Sequence, residues 1–151
     1  MSTEKNNPLA IVNPNSSSSK EPWYKDGLHF GCTQCGKCCT GSPGYTWVSL
    51  DEINIIADHL KIPINDFIRD YLRKVDGKWA LLEYTPSYDC IFLKDKRCSI
   101  YQVRPKQCRT FPWWPKNLES KKNWEKTATH CEGINNDAPL VTYDEIAKQS
   151  Q

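Results

Sequence analysis

Apolar positions recur with a helical period between residues 49 and 72. Leu50, Ile53, Ile56, Ala57 and Leu60 share one face, and Ser49 followed by Glu52 has capping-box spacing, which predicts a helix beginning at Leu50. Pro63 interrupts the pattern, and Ile64, Phe67, Ile68, Tyr71 and Leu72 then predict a second helix. Stripes of this kind predict packing against a core rather than a cofactor pocket. Val75-Asp76-Gly77-Lys78-Trp79 reads as a turn entering a strand that extends to Glu83. Residues 90–101 read as a short hairpin with its turn between Leu93 and Cys98. Pro105 opens a short helix across Lys106 to Thr110, and Pro112 ends it. The polar stretch 116–137 reads as loop. Thr142 and Glu145 repeat the capping-box spacing and predict a last helix.

The first 22 residues show no apolar periodicity. Asn6, Asn7, Pro8, Asn13, Pro14, Asn15 and the run Ser16 to Ser19 cannot offset their ordering entropy by burial. A disordered tail is therefore expected over 1–22 and a single folded domain over 23–151, with order beginning near Trp23-Tyr24. A length of 151 residues suits one domain. The expected fold class is α+β: short strands, a few helices and irregular metal-binding loops.

Charge changes this picture little. Twenty basic residues face eighteen acidic ones, a net of +2, which gives no strong steering toward nucleic acid or membrane. No apolar run approaches the ~20 residues of a membrane helix. The start of the chain has no secretory pattern and no arginine before residue 22, so a reducing cytoplasm is the expected compartment. There, clustered cysteines serve as metal ligands or catalytic groups rather than as disulfides.

The cysteines change it most. There are eight, and four lie in the run Cys32-Thr33-Gln34-Cys35-Gly36-Lys37-Cys38-Cys39. Thiolates at i, i+3 and i+6 can converge on one point when the backbone wraps around it, as in loops that hold soft metals and iron–sulfur clusters. Gly31, Gly36, Gly41 and Gly44 supply turning freedom around that point. Cys90, Cys98, Cys108 and Cys131 follow in the second half, so the chain must fold back if both groups serve one centre. Three chemistries compete. Cys32, Cys35 and Cys38 match the first three ligands of a ferredoxin-type run, with the fourth supplied from elsewhere. Cys32 and Cys35 also form half of a zinc knuckle, with His130 widening the ligand choice. A redox-active CxxC pair fits less well, because it requires one pair at a helix start. Adjacent Cys38 and Cys39 diverge in extended backbone and would then serve two neighbouring centres, or one centre and one structural contact.

The CxxCxxCC run, followed by Cys98-Ser99-Ile100-Tyr101-Gln102-Val103-Arg104-Pro105-Lys106-Gln107-Cys108-Arg109-Thr110-Phe111-Pro112, resembles the YkgJ-like cysteine-cluster proteins. These are described as zinc- or iron-chelating domains. The resemblance spans about Phe30 to Gly133. It implies that Cys32, Cys35, Cys38, Cys39, Cys90, Cys98, Cys108 and Cys131 are all metal-directed, in one or two four-cysteine sites. The implied cofactor is an iron–sulfur cluster of the 4Fe-4S type, with zinc as the alternative. The implied role is redox or metal handling. Alternatives are a structural zinc module that mediates interactions, or a cluster-dependent enzyme related to protein lysine N-methylases. Flagellin lysine N-methylases share the motif, but no glycine-rich nucleotide-binding unit is present in this chain, and the motif alone does not carry their reaction. A protein partner or a small-molecule substrate is expected; membrane and nucleic acid are not. Arg104 and Arg109 are candidates to balance thiolate charge or to donate to cluster sulfurs. Tyr101 and Phe111 are expected to form an apolar wall, and the patch Phe111 to Lys116 to pack in the core or beside the metal. His59 suits a helix C-terminus.

Overall fold

A computed structural model describes residues 20–41 and 43–150, so the expected tail falls almost wholly outside the described residues. In chain order the elements are β1 (Leu28–His29), a 3-10 turn (Lys37–Cys39), β2 (Trp47–Val48), α1 (Leu50–Leu60), α2 (Ile64–Tyr71), β3 (Leu72–Val75) and β4 (Lys78–Leu81). They continue as β5 (Leu93–Lys94), β6 (Arg97–Cys98), a second 3-10 turn (Tyr101–Val103), α3 (Lys106–Arg109), α4 (Pro115–Leu118), α5 (Lys121–Ala128), β7 (Leu140–Val141) and α6 (Tyr143–Gln149). This is the small α+β domain that the sequence predicts.

Two hydrophobic clusters organise it. The first joins α1 and α2 to the antiparallel sheet β2-β4-β3. Ser49 caps α1 through a complete capping box with Glu52, as expected. Ile53, Ile56 and Ala57 are buried, but Leu50 is 67% exposed because it opens the helix beyond the reach of the sheet. Leu72 belongs to β3 rather than to the second helix: the chain passes from α2 straight into the strand, which pairs Leu72 with Leu81. Phe67, Tyr71 and Phe92 stack with centroids 5.1–6.2 Å apart. Burying a side chain such as Phe67 contributes about 1.5–3 kcal/mol. The hairpin β5–β6 turns at Asp95-Lys96, and its pairing Leu93↔Cys98 follows the expected register.

The second cluster buries Trp113, Leu118, Trp124 and Ile146, with Tyr24, Leu28, Phe30, Ile134 and Val141 packed on it. Here the expectation of a loop over 116–137 fails. Pro115 stands at the first position of α4, and the Ser120 side chain caps α5 by accepting from the Asn123 N–H. Leu118 and Trp124 supply apolar contact that the polar average of the segment conceals. Trp113 stacks on Trp124 at 5.3 Å, which places the aromatic patch in the core. Thr142 and Glu145 form the predicted capping box of α6. The ladder β1·β7, only two residue pairs long, ties the start of the described chain to its end.

Candidate metal centre

The cysteine loop crosses between the two clusters and is pinned to each. Towards the first, the Cys90 N–H donates to the Cys39 carbonyl at 2.8 Å. Gly36 adopts φ 74° against the hairpin turn, where a Cβ would run into the Lys96 carbonyl. Towards the second, the Gly31 N–H donates to the Gly133 carbonyl at 3.0 Å. Thr33 Oγ1 donates to Glu132 Oε1 at 2.6 Å, and Lys37 Nζ lies 3.5 Å from Glu132 Oε2.

Folding back of the chain brings all eight cysteines onto one cavity of about 100 Å3. None is in a disulfide. Leu81, Phe92 and Ile100 from the first cluster line it, together with Phe30 and Phe111. Tyr101, Arg104, Arg109 and His130 complete the lining. Cys38 and Cys39 do not diverge. Gly36 starts a 3-10 turn in place of the extended backbone expected there, and both thiols face the cavity. Among the described residues, no three His, Cys, Asp or Glu side chains already stand in the geometry of a bound metal ion, so the thiols ring the cavity and must draw in around a metal.

The thiols are electrostatically unequal. Cys39 has both Cys38 and Cys98 as hydrogen-bond partners for its single S–H, which raises its own pKa and lowers theirs to about 7 against burial. Burial pushes Cys90 up to about 11 and Cys108 up to about 12. Cys131 is raised by burial as well, with smaller contributions from the charges of Cys35 and Cys38. The Arg104 guanidinium favours the charged forms of Cys38, Cys98 and Cys108. It lies 3.7 Å over the Tyr101 ring and donates to the Tyr101 carbonyl. Tyr101 itself is hydrogen-bonded to Cys32, which raises its pKa. Among the described residues neither Arg104 nor Arg109 pairs with a carboxylate, and the Arg104 charge acts on the thiols. Arg109 lines the cavity with an exposed side chain.

Several contacts that hold the site had no mark in the sequence, including the second bond made by the capping residue Glu52. Glu52 Oε2 caps α1 while its Oε1 accepts from the Lys106 N–H at 2.6 Å, so one carboxylate fixes the starts of two helices. Gln107 accepts from the Trp47 N–H and donates to the Tyr45 carbonyl, strapping α3 to the free edge of β2. Together they hold the short helix that carries Cys108. Glu132, beside Cys131, latches the cysteine loop. His59 lies in the last turn of α1 as expected, and His29 bonds the Ala138 carbonyl and does not line the cavity.

The donor set is what a soft metal requires: thiols in number, a dry wall, and a cation to offset their charge. A cavity of this size also lies below the ~300–1,000 Å3 of ordinary organic-ligand pockets. The fold and site define a compact thiol-rich metal-binding domain. Residues 31–132 match the CxxCxxCC family, described as "Putative zinc- or iron-chelating domain", and the chain belongs to that family. Among curated proteins it is similar to the uncharacterized protein MJ0661 of Methanocaldococcus jannaschii, with 36% identity over 92 residues, 60% of this chain and 48% of the relative. The chain thus spans about half the length of that relative. No solved structure matches it. No helix among the described residues is long and apolar enough to cross a membrane.

Proposed function

We propose that this domain holds an iron–sulfur cluster through cysteine thiolates and serves in electron transfer or metal handling in the cytoplasm, with a protein or small-molecule partner. The observation that carries the reading is the lining of one small cavity by eight thiols, without a disulfide among them. The first three ligands would come from the loop at ferredoxin spacing, Cys32, Cys35 and Cys38. The deeper thiols of Cys90, Cys98 and Cys108 come from elements already ordered by packing. A bound cluster would supply one-electron chemistry. The residues around it would set its surroundings: Arg104 offsets thiolate charge, Phe92, Ile100 and Phe111 exclude water, and Tyr101 anchors Cys32. Those levers tune potential in such centres. Anaerobic purification tests the reading. It predicts brown protein with iron, acid-labile sulfide and sulfur-to-iron charge-transfer absorption. Colourless protein with stoichiometric zinc and no sulfide contradicts it and supports the structural-zinc alternative.

A further inference from the structure

A second opening, an open groove of about 540 Å3, lies between the start of α1, the β3–β4 turn and α3. Its volume falls within the ~300–1,000 Å3 of ordinary ligand pockets. The walls combine apolar surface with positive charge. Trp47, Leu50 and Trp79 line it, with Leu50 67% and Trp47 36% exposed. Lys78 and Lys106 line it too, and among the described residues neither pairs with a carboxylate. The one carboxylate in the lining, Glu52, is already committed: its two oxygens accept from the Ser49 and Lys106 N–H groups. Asp51 and Asp76, on the same elements, do not line the groove.

Two modes of recognition are obstructed there. Tyr45 stacks on Trp47 at 5.0 Å, with Arg73 4.9 Å over the Tyr45 ring and Lys78 5.7 Å over the Trp47 ring. Lys74 lies 5.3 Å over the Trp79 ring. Bases that stack on aromatic faces, as single-stranded nucleic acid does, would have to displace these partners. An added β-strand would have to displace the Gln107 side chain, which holds the Trp47 N–H and the Tyr45 carbonyl on the edge of β2. What remains on offer is an exposed apolar seat between unpaired ammonium groups. We infer that the groove docks an acidic segment of a partner protein, with an apolar side chain on Leu50 and Trp47 and carboxylates on Lys78 and Lys106. The inference goes beyond the metal-binding reading and stands without it. It also places the partner beside the thiols. Lys106, Gln107 and Thr110 line the groove, whereas Cys108 and Arg109 line the thiol cavity, so α3 and the residue after it form a wall common to both.

A labelled peptide of glutamates flanking one leucine, titrated into the reduced full chain, tests the inference. The same peptide with lysine in place of glutamate, and an oligothymidylate, serve as competing probes. Saturable binding of the glutamate peptide is expected, weakening as salt rises, with shifts of the Trp47 and Trp79 indole N–H resonances. Lys78→Glu combined with Lys106→Glu replaces attraction by repulsion and should weaken binding at least about tenfold, with thermal unfolding unchanged. Leu50→Ser should weaken it as well, at any salt concentration. Absence of binding by the glutamate peptide, or binding indifferent to the double lysine change, overturns the inference. Tighter binding of the oligothymidylate through the same lysines overturns it too and makes the groove a nucleic-acid site.

Discussion

The two walls of the cavity are built by different means. The first rests on two amphipathic helices, a three-stranded sheet and nine buried side chains. The second rests on four buried side chains, short helices and a ladder of two residue pairs. Both walls contribute cysteines to the same cavity. The first can hold Cys90 and Cys98 in place by packing alone, whereas the second presents Cys131 at the end of a five-residue span from Thr127 whose apolar support is thin. A small domain with a divided core needs a further constraint, and a metal joined to both walls supplies one. On this account the metal holds the halves together, and its chemistry depends on the half that needs no help.

The comparison is most sharply broken by a cavity in the larger wall. Phe67→Ala removes a ring of α2 that is 0% exposed and stacked on Tyr71 and Phe92. A loss of about 3–5 kcal/mol is expected in chemical denaturation, with loss of bound metal. Trp124→Ala deletes a ring of similar weight from the smaller wall. It should release β1, β7 and α6 to rapid amide exchange in the metal-free protein while α1 and α2 remain protected. Equal deprotection of both walls would show a single cooperative core.

Helix caps give a finer contrast. Glu52→Ala frees the N–H groups of Ser49 and Lys106 together, and about 1–2 kcal/mol of destabilisation is expected. Because Lys106 opens the helix carrying Cys108, metal should also be held less tightly, as competition with a chelator would measure. Thr142→Ala removes the equivalent cap of α6 at a similar cost, about 1 kcal/mol, and should leave chelator competition unchanged.

The thiols themselves predict a pH dependence. In the metal-free protein Cys90 and Cys108 keep their protons to about 11 and about 12, whereas the unfolded chain releases them near 9.0. The unfolded state thus binds fewer protons across that window, and stability falls as pH rises from about 9 to about 12. Cys38 and Cys98 act oppositely: their pKa values of about 7 lie below 9.0, so the stability they contribute is present above 9 and lost as pH falls through 7. Thermal unfolding of the apo protein against pH should show both slopes. Alanine in place of Glu132 gives the smallest effect. Its carboxylate is exposed and holds Thr33 and Lys37 of the cysteine loop, so only faster release of bound metal is expected, with unfolding unchanged.

What was legible in the sequence follows the range of the interaction. The capping boxes at Ser49 and Thr142, the β5–β6 turn and the helix after Pro105 are written in residues three to six apart, and each appears where local chemistry places it. The helices over 115–128 were missed because Leu118 and Trp124 stand in a polar background and gain their support only from Trp113 and Ile146. The pairing of Leu28 with Val141 has no local signal at all. The same holds at the site. Spacing marked Cys32, Cys35 and Cys38 as candidate ligands, the family resemblance implied the other five thiols, and Arg104 was a candidate to balance their charge. The single Gly36 turn that unites Cys38 with Cys39, and the Glu52, Gln107 and Glu132 bonds that hold the walls, are products of tertiary contact.

X-ray absorption at the metal edge of protein purified without air reads the ligand shell itself. A thiolate centre predicts a first shell made of sulfur alone, at the ~2.3 Å usual for metal–thiolate bonds, with a further iron shell when a cluster is present. A first shell dominated by nitrogen or oxygen, in protein whose eight cysteines are reduced, would contradict it.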